Sequence, residues 1–330
     1  MASEGSNFGR SLTLGVEEEL MLLDPVSFEL APGVERLLGP PGLKTELFAC
    51  LVETNTPICE SAAKVLAELV RLRAVVRTAA AREGLVVAAT GSHPFSVPEE
   101  QEIVPEPRYL ALLEERPSAR RQLVCGLHVH IGMESFERCL ETLEFVLPWL
   151  PAMLAVSLNS PYLDGGDIGC LSARECLLLE LTRAGAPPLL GGRAIWNETV
   201  ERAGGDYTRI WWDVRPHPRL GTLEVRLPDQ PTSVRRSAAI AALVQALCSS
   251  VEPVEPVDRD VYLGARATAA SGHAPVAELL ARVEPAARKL GTWEFVEVLR
   301  DPPEAHRQLE VGRRDGLVAV ATDLVARSTE

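Results

Sequence analysis

The sequence has no GxxxxGK(S/T) element and no GxGxxG opening a helix after a strand. It therefore supports neither a P-loop nor a Rossmann nucleotide site. No GxSxG nucleophile elbow occurs. No run approaches the roughly 20 apolar residues of a membrane span. Met1 to Arg10 is polar and lacks an apolar core, so no signal peptide is expected. The seven cysteines (Cys50, Cys59, Cys125, Cys139, Cys170, Cys176, Cys248) form no CxxC pair. Their odd number and lack of zinc-like spacing predict reduced thiols in the cytoplasm, most of them acting as small buried hydrophobes. A net charge of -13 lacks the basic stripe of a nucleic-acid binder. It leaves a nucleotide substrate open, because one phosphate site needs only a few local cations or metals. No repeat of 20 to 50 residues is present.

What remains is an ordinary globular balance, 46% hydrophobic and 24% charged over 330 residues. That length suits one large or two medium domains. Its most informative stretch is the strand Leu12–Leu23, apolar at both ends with Glu17, Glu18 and Glu19 in the middle. Strand alternation puts Glu17 and Glu19 on one face and Val16, Glu18 and Leu20 on the other. Carboxylates so close repel unless solvated or bridged by a hard cation.

Further strands repeat the pattern. A second strand, expected over 47–57, carries Glu46 at its start and Glu53 in an otherwise apolar run. Gln122–Gly132 alternates so that His128 and His130 share a face. Residues 207–216 and 222–227 read as a hairpin in which Glu224 and Arg226 share a face, with Arg209, Arg215 and Arg219 nearby. Helices are expected over 61–83, over 134–157 with a bend at Pro148 and Pro151, and over 233–250. Three or four more are expected between 274 and 328. His93 lies in a loop at the carboxyl end of a short strand. Residues 159–192 form a long irregular stretch containing Arg174, fit either to cover a substrate or to be a surface insertion.

If these strands share one antiparallel sheet, the pairs Glu17/Glu19, His128/His130 and Glu224/Arg226, with Glu53, can line one concave face. Carboxylates and imidazole beside arginines suit Mg²⁺ or Mn²⁺ holding a polyphosphate better than zinc.

With these residues together, the chain resembles the carboxylate-amine ligase family related to type 2 glutamate-cysteine ligases, which share the glutamine synthetase catalytic fold. The matching pieces are Gly15–Glu19, Glu46 with Glu53 and Pro57, Gly91–Phe95, Arg108-Tyr109, Gly126–Gly132, Asn159–Tyr162, Gly169 with Ser172 and Arg174, and Trp212–Pro216 with Gly221–Arg226. After residue 250 the match loosens: Asp258–Arg266 only partly follows the family's next helix, and Arg307-Gln308 reverses its late Gln-Arg element.

The resemblance implies an α+β fold, a curved antiparallel β-sheet with flanking helices. Residues 1–250 would be the catalytic part and 251–330 a helical part packed on the same domain. It implies ATP and Mg²⁺ (or Mn²⁺) on the concave face. Glu17, Glu19, Glu53, His128 and Glu224 would be metal ligands. Arg215 and Arg226 would face phosphate or the activated carboxylate, Arg174 a substrate or phosphate, and His93 and His130 the nucleotide. The implied reaction is ATP-dependent amide formation through an acyl phosphate, with glutamate and cysteine as the family's usual substrates. Expected partners are a small carboxylate and a small amine, with no nucleic acid and no membrane, in a homo-oligomer, a dimer. Two other readings use the same residues: a metal-dependent amide or ester hydrolase indifferent to ATP, and a non-catalytic metabolite-binding protein.

Overall fold

The computed structural model describes residues 7–179, 184–188 and 192–329. Residues 180–183 and 189–191 of the irregular stretch, and 1–6 of the polar start, lie outside the described residues.

A seven-stranded antiparallel sheet organises the chain. Its strands are β1 (Leu14–Leu23), β2 (Leu43–Thr45), β3 (Leu51–Asn55), β4 (Val86–Ala88), β5 (Leu127–Gly132), β6 (Val214–His217) and β7 (Thr222–Val225). They run in the order β6-β7-β5-β1-β3-β2, and β4 pairs with the end of β1. The N-terminal strand, the longest, thus sits near the middle. The architecture is α+β, as expected.

One face of the sheet is apolar. Val16 stands opposite Val129 and Leu14 opposite Ile131, while Leu20 faces Val52. Helices Ala62–Arg82 and Val234–Cys248 pack on this face and on each other. The Ser61 hydroxyl caps the first, accepting from Lys64 N–H at 3.3 Å, and Gly84, at φ +72°, follows its end. The second is alanine-rich and almost wholly buried, which lets it sit between the sheet and the later helices Val276–Lys289 and Trp293–Val296. The apolar stretch Phe136–Ser157, long enough to cross a membrane, is mostly buried within the protein. It bends where expected, at the turn Leu147–Trp149 containing Pro148.

Glu18 is the exception on the apolar face. It is fully buried and held by Arg73, with Nη2 to Oε1 at 2.7 Å and Nε to Oε2 at 2.9 Å. Gln230 Nε2 and the Ser237 hydroxyl donate to the same carboxylate at 2.9 and 2.7 Å. Burial alone would raise this carboxyl; the Arg73 charge and the hydrogen bonds from Arg73, Ser237 and Gln230 together outweigh it and leave the group lowered. Arg73 also donates to the Pro231 carbonyl at 3.0 Å, so one ion pair ties β1 to a helix and to the loop before another.

The sequence expectations differ from the structure in four places. The strand expected over 47–57 begins only at Leu51: residues 47–49 leave the sheet and bond to the 102–104 segment through Ala49 N–H to Glu102 O and Val104 N–H to Leu47 O. The hairpin arm expected from Tyr207 starts at Val214. Before it, Trp211-Trp212 pairs in parallel with Ala184-Gly185. The irregular stretch contains the helix Ala173–Leu179, and a further helix, Arg193–Arg202, follows it directly. The core of the stretch is a buried Asp229 carboxylate that accepts from Asn159 N–H at 3.0 Å and from the Ser160 and Ser172 hydroxyls at 2.7 and 2.8 Å. A helix Arg259–Ala270, capped by Asp258, stands where the family resemblance loosens.

All seven cysteines are free. Five are buried, whereas Cys170 and Cys176 lie nearer the surface with sulfurs 3.2 Å apart.

Candidate active site

The polar face of the sheet floors a cavity of about 830 Å³, within the range of small-molecule sites. Register builds its floor. Residues directly opposite in an antiparallel pair share a face. Arg215 stands opposite Glu224, Glu224 opposite His130, His128 opposite Glu17, Glu19 opposite Glu53, and Glu53 opposite Lys44. Five strands and their edge neighbour thus put a row of charge across one surface.

The ligand atoms of Glu17, His130 and Glu224 lie within 4.8 Å of one another. Glu17 also approaches His128 Nδ1 at 3.3 Å, and His128 Nε2 lies 3.8 Å from Glu19. Burial would raise the Glu17 carboxyl, but the hydrogen bond to His128 and the nearby His130 ring together outweigh that and hold it well below the usual carboxylate range. Burial likewise opposes ionisation of Glu224, and the Arg215 and Arg226 charges overcome it. Glu17 and Glu224 are therefore anionic donors over the working pH range.

These residues fit a divalent cation. His130 Nδ1 meets the Thr222 hydroxyl at 3.0 Å, which orients the ring. Its Nε2 is buried without a hydrogen-bond partner and lies 3.7 Å from Glu17 Oε1. Two carboxylates and an imidazole held this close suit Mg²⁺ or Mn²⁺.

A second carboxylate group lies toward the β2 edge. Glu53 meets Lys44 Nζ at 3.1 Å and Asn55 Nδ2 at 2.5 Å. Glu46 lies beside it, its carboxyl pushed well above the ordinary range by burial and by the charges of Glu53 and Glu19. Glu19 is anchored by the Gly126 N–H at 2.5 Å.

A family model described as glutamate-cysteine ligase family 2 matches residues 13–311. The chain belongs to this family. It is similar to a Rubrobacter xylanophilus protein provisionally named glutamate–cysteine ligase 2-3, with 37% identity over 98% of this chain and 99% of the other. A Herpetosiphon aurantiacus protein provisionally named glutamate–cysteine ligase 2 is 31% identical over 96% of this chain and 93% of its own. Among solved structures, a Francisella tularensis glutamate–cysteine ligase in complex with AMP shares the fold, with TM-score 0.71, 14% identity, and 98% of this chain and 90% of that one covered. A bifunctional glutathione synthetase from Pasteurella multocida gives the same TM-score at 15% identity. It covers 96% of this chain, which spans 53% of that longer protein.

Within this family-2 chain, the cavity gathers Glu17, Glu19, Glu53, His128, Arg174, Arg215, Glu224 and Arg226. Three expectations change in detail. His130, expected at the nucleotide, stands in the three-donor cluster, because its strand position faces Glu224. Arg215 is committed to the protein: Nε binds Glu224 Oε2 at 2.7 Å, and Nη1 donates to the Ile210 and Thr208 carbonyls at 2.5 and 3.2 Å. Arg226, which also binds Glu224, is the arginine of the pair left part-exposed.

His93 lies elsewhere. It is not among the cavity residues. Its Nδ1 accepts from Ser96 N–H at 2.9 Å and its Nε2 lies 2.9 Å from the Phe28 carbonyl, a loop-bracing role. Burial pushes its pKa down to about 4. A folded pKa below the ordinary 6.5 means that the unfolded chain binds the proton first. Stability therefore falls as pH drops from about 6.5 to about 4, by about 3 kcal/mol from this ring. His93→Gln should flatten that part of the stability–pH curve in urea titrations. An unchanged slope would refute the assignment.

Glu46 is the cavity residue that strand spacing cannot find, because it stands in the connection between β2 and β3. Arg174 reaches the cavity wall, yet Nη1 and Nη2 donate to the Leu227 and Arg226 carbonyls, each at 2.8 Å. A Cβ on Gly126 would overlap its guanidinium. Gly126→Ala should therefore cost about 1–3 kcal/mol and lower turnover by dislodging Arg174. Unaltered kinetics with unaltered stability would show that the guanidinium yields freely.

Proposed function

We propose that the protein is an ATP-dependent carboxylate-amine ligase that forms a γ-glutamyl amide, with cysteine as the family's usual amine. The observation that carries this reading is the Glu17–His130–Glu224 cluster with Arg226 bound to one of its carboxylates. A phosphate-bearing substrate needs cations, and an acidic floor attracts it only with metal bound.

Glu17, His130 and Glu224 would hold Mg²⁺ or Mn²⁺, with His128, Glu19 and Glu53 beside them. When bound, the metal neutralises phosphate oxygens and leaves a less negative target for an incoming carboxylate. The chain's own task is placement. Arg226 supplies a fixed positive charge at the cavity surface, where charge shifts during phosphoryl transfer. Arg215 holds Glu224 still, and the cavity walls limit water. A substrate carboxylate oxygen attacks the γ-phosphorus, giving an acyl phosphate and ADP. The amine nitrogen then attacks the acyl carbon and expels phosphate.

The test is ADP release with Mg²⁺, glutamate and either cysteine or hydroxylamine, the latter trapping an activated acyl group as hydroxamate. Amine-dependent ADP release and hydroxamate formation are expected. Amide or ester hydrolysis indifferent to ATP, with neither product, would overturn the proposal.

A further inference from the structure

We propose that Arg266, on the helix Arg259–Ala270, is a positioning residue that fixes Arg226 in the cavity from both sides. This rests on the ligase reading of the cavity.

Arg266 is wholly buried and does not line the cavity. Its Nε lies 2.7 Å from Glu175 Oε1 and its Nη2 lies 2.8 Å from Asp213 Oδ1. One turn earlier on the same helix face, the Tyr262 hydroxyl donates to Asp213 Oδ2 at 2.6 Å. The two carboxylates belong to different segments, and each segment holds one side of the Arg226 backbone.

Glu175 is next to Arg174, whose guanidinium donates to the Arg226 carbonyl at 2.8 Å. Asp213 gives its own carbonyl to the Arg226 N–H, also at 2.8 Å, and its N–H to Gly185 O at 2.9 Å. The backbone of Arg226 is thus pinned at N–H by Asp213 and at C=O by Arg174, and Arg266 ties Asp213 to Glu175, the residue next to Arg174. The Arg226 side chain then meets Glu224, a member of the three-donor cluster.

Energetics favour a positioning role over a purely stabilising one. One buried guanidinium stands between two buried carboxyl groups, and burial pushes that of Glu175 up to about 8, so the group carries no excess negative charge near neutral pH. Buried ion pairs of this kind often stabilise no better than apolar residues of the same volume. A planar guanidinium that donates to Asp213 and lies against Glu175 does, however, set distance and angle in a way an apolar contact cannot. Displacing a charged group by about 1 Å can cost on the order of a hundredfold in rate.

The test compares wild type with Arg266→Lys, which keeps the charge but gives up the fork, and Tyr262→Phe, which keeps the packing but loses the hydroxyl. Folded fraction is read by melting, metal affinity by Mn²⁺ calorimetry, and turnover by hydroxamate formation from glutamate, hydroxylamine and Mg-ATP. Both variants should fold and bind Mn²⁺ within about threefold of wild type, because Glu17, His130 and Glu224 ride on the sheet. Turnover of Arg266→Lys should fall roughly 10- to 100-fold, with a smaller change in the KM for glutamate. Tyr262→Phe should fall less. Turnover per folded molecule equal to wild type, or Mn²⁺ affinity falling in parallel with rate, overturns the proposal.

Amide hydrogen exchange separates this from failure of the ligase reading. If wild type makes no hydroxamate, that reading falls. Faster exchange in 173–178 and 211–213 of Arg266→Lys, with β5 unchanged, still supports the clamp, and unchanged exchange refutes it.

Discussion

Glu17→Gln is expected to lower turnover by a hundredfold to a thousandfold, on the order of the loss when one preorganised charge-stabilising group is removed. Mn²⁺ affinity should fall by more than about tenfold. Stability should change by less than about 1 kcal/mol. The side chain is 17% exposed, and its neighbours include the carboxylate of Glu19. Activity and stability therefore part company at this residue. Steady-state rates, Mn²⁺ calorimetry and urea unfolding check the three quantities. Unchanged turnover would remove Glu17 from the site, and the cation cluster with it.

Arg73→Met should behave in the opposite way. It leaves the Glu18 carboxylate buried without its countercharge, a change that costs about 3–5 kcal/mol. The urea midpoint should drop at constant slope, while turnover per folded molecule stays near wild type, because Glu18 and Arg73 lie behind the sheet. Replacing both residues by methionine should recover much of the loss, since the cost lies in the orphaned charge. Gln230 and Ser237, which donate to the same carboxylate, limit that recovery. If the double replacement is no better than the single, the damage is to packing and the electrostatic account fails.

These adjacent glutamates also show how far the sequence was readable. Alternation alone separates Glu18 from Glu17 and Glu19, because a pleated strand offers no other arrangement. The same rule pairs His128 with His130. It cannot say which of these two joins Glu17 and Glu224, because that depends on register: His130 faces Glu224, whereas His128 faces Glu17. Nor does it reveal that Glu18, an acidic residue that spacing would place in solvent as readily as in the core, has a buried arginine 55 residues away.

Arg215 and His93 mark a further boundary. Residue type makes both plausible phosphate contacts, but type does not say where a side chain's hydrogen bonds go. Arg215 is consumed by Glu224 and backbone carbonyls, and His93 by its own loop. The helix carrying Tyr262 and Arg266 has a capping aspartate that could have announced it. The ion pairs it makes, Asp213–Arg266 and Glu175–Arg266, join residues 53 and 91 positions earlier by no periodic rule.

The sequence by itself therefore determined the long helices, the sidedness of each strand and the charged residue types of the site. All of these follow from periodicity and local chemistry, which act over a few residues. Only the tertiary structure decided which strands are neighbours and in what register. It also decided which charges neutralise each other and which remain open to the cavity. Those outcomes depend on distances between residues far apart in the chain, set by the packing of two helices against one face of the sheet.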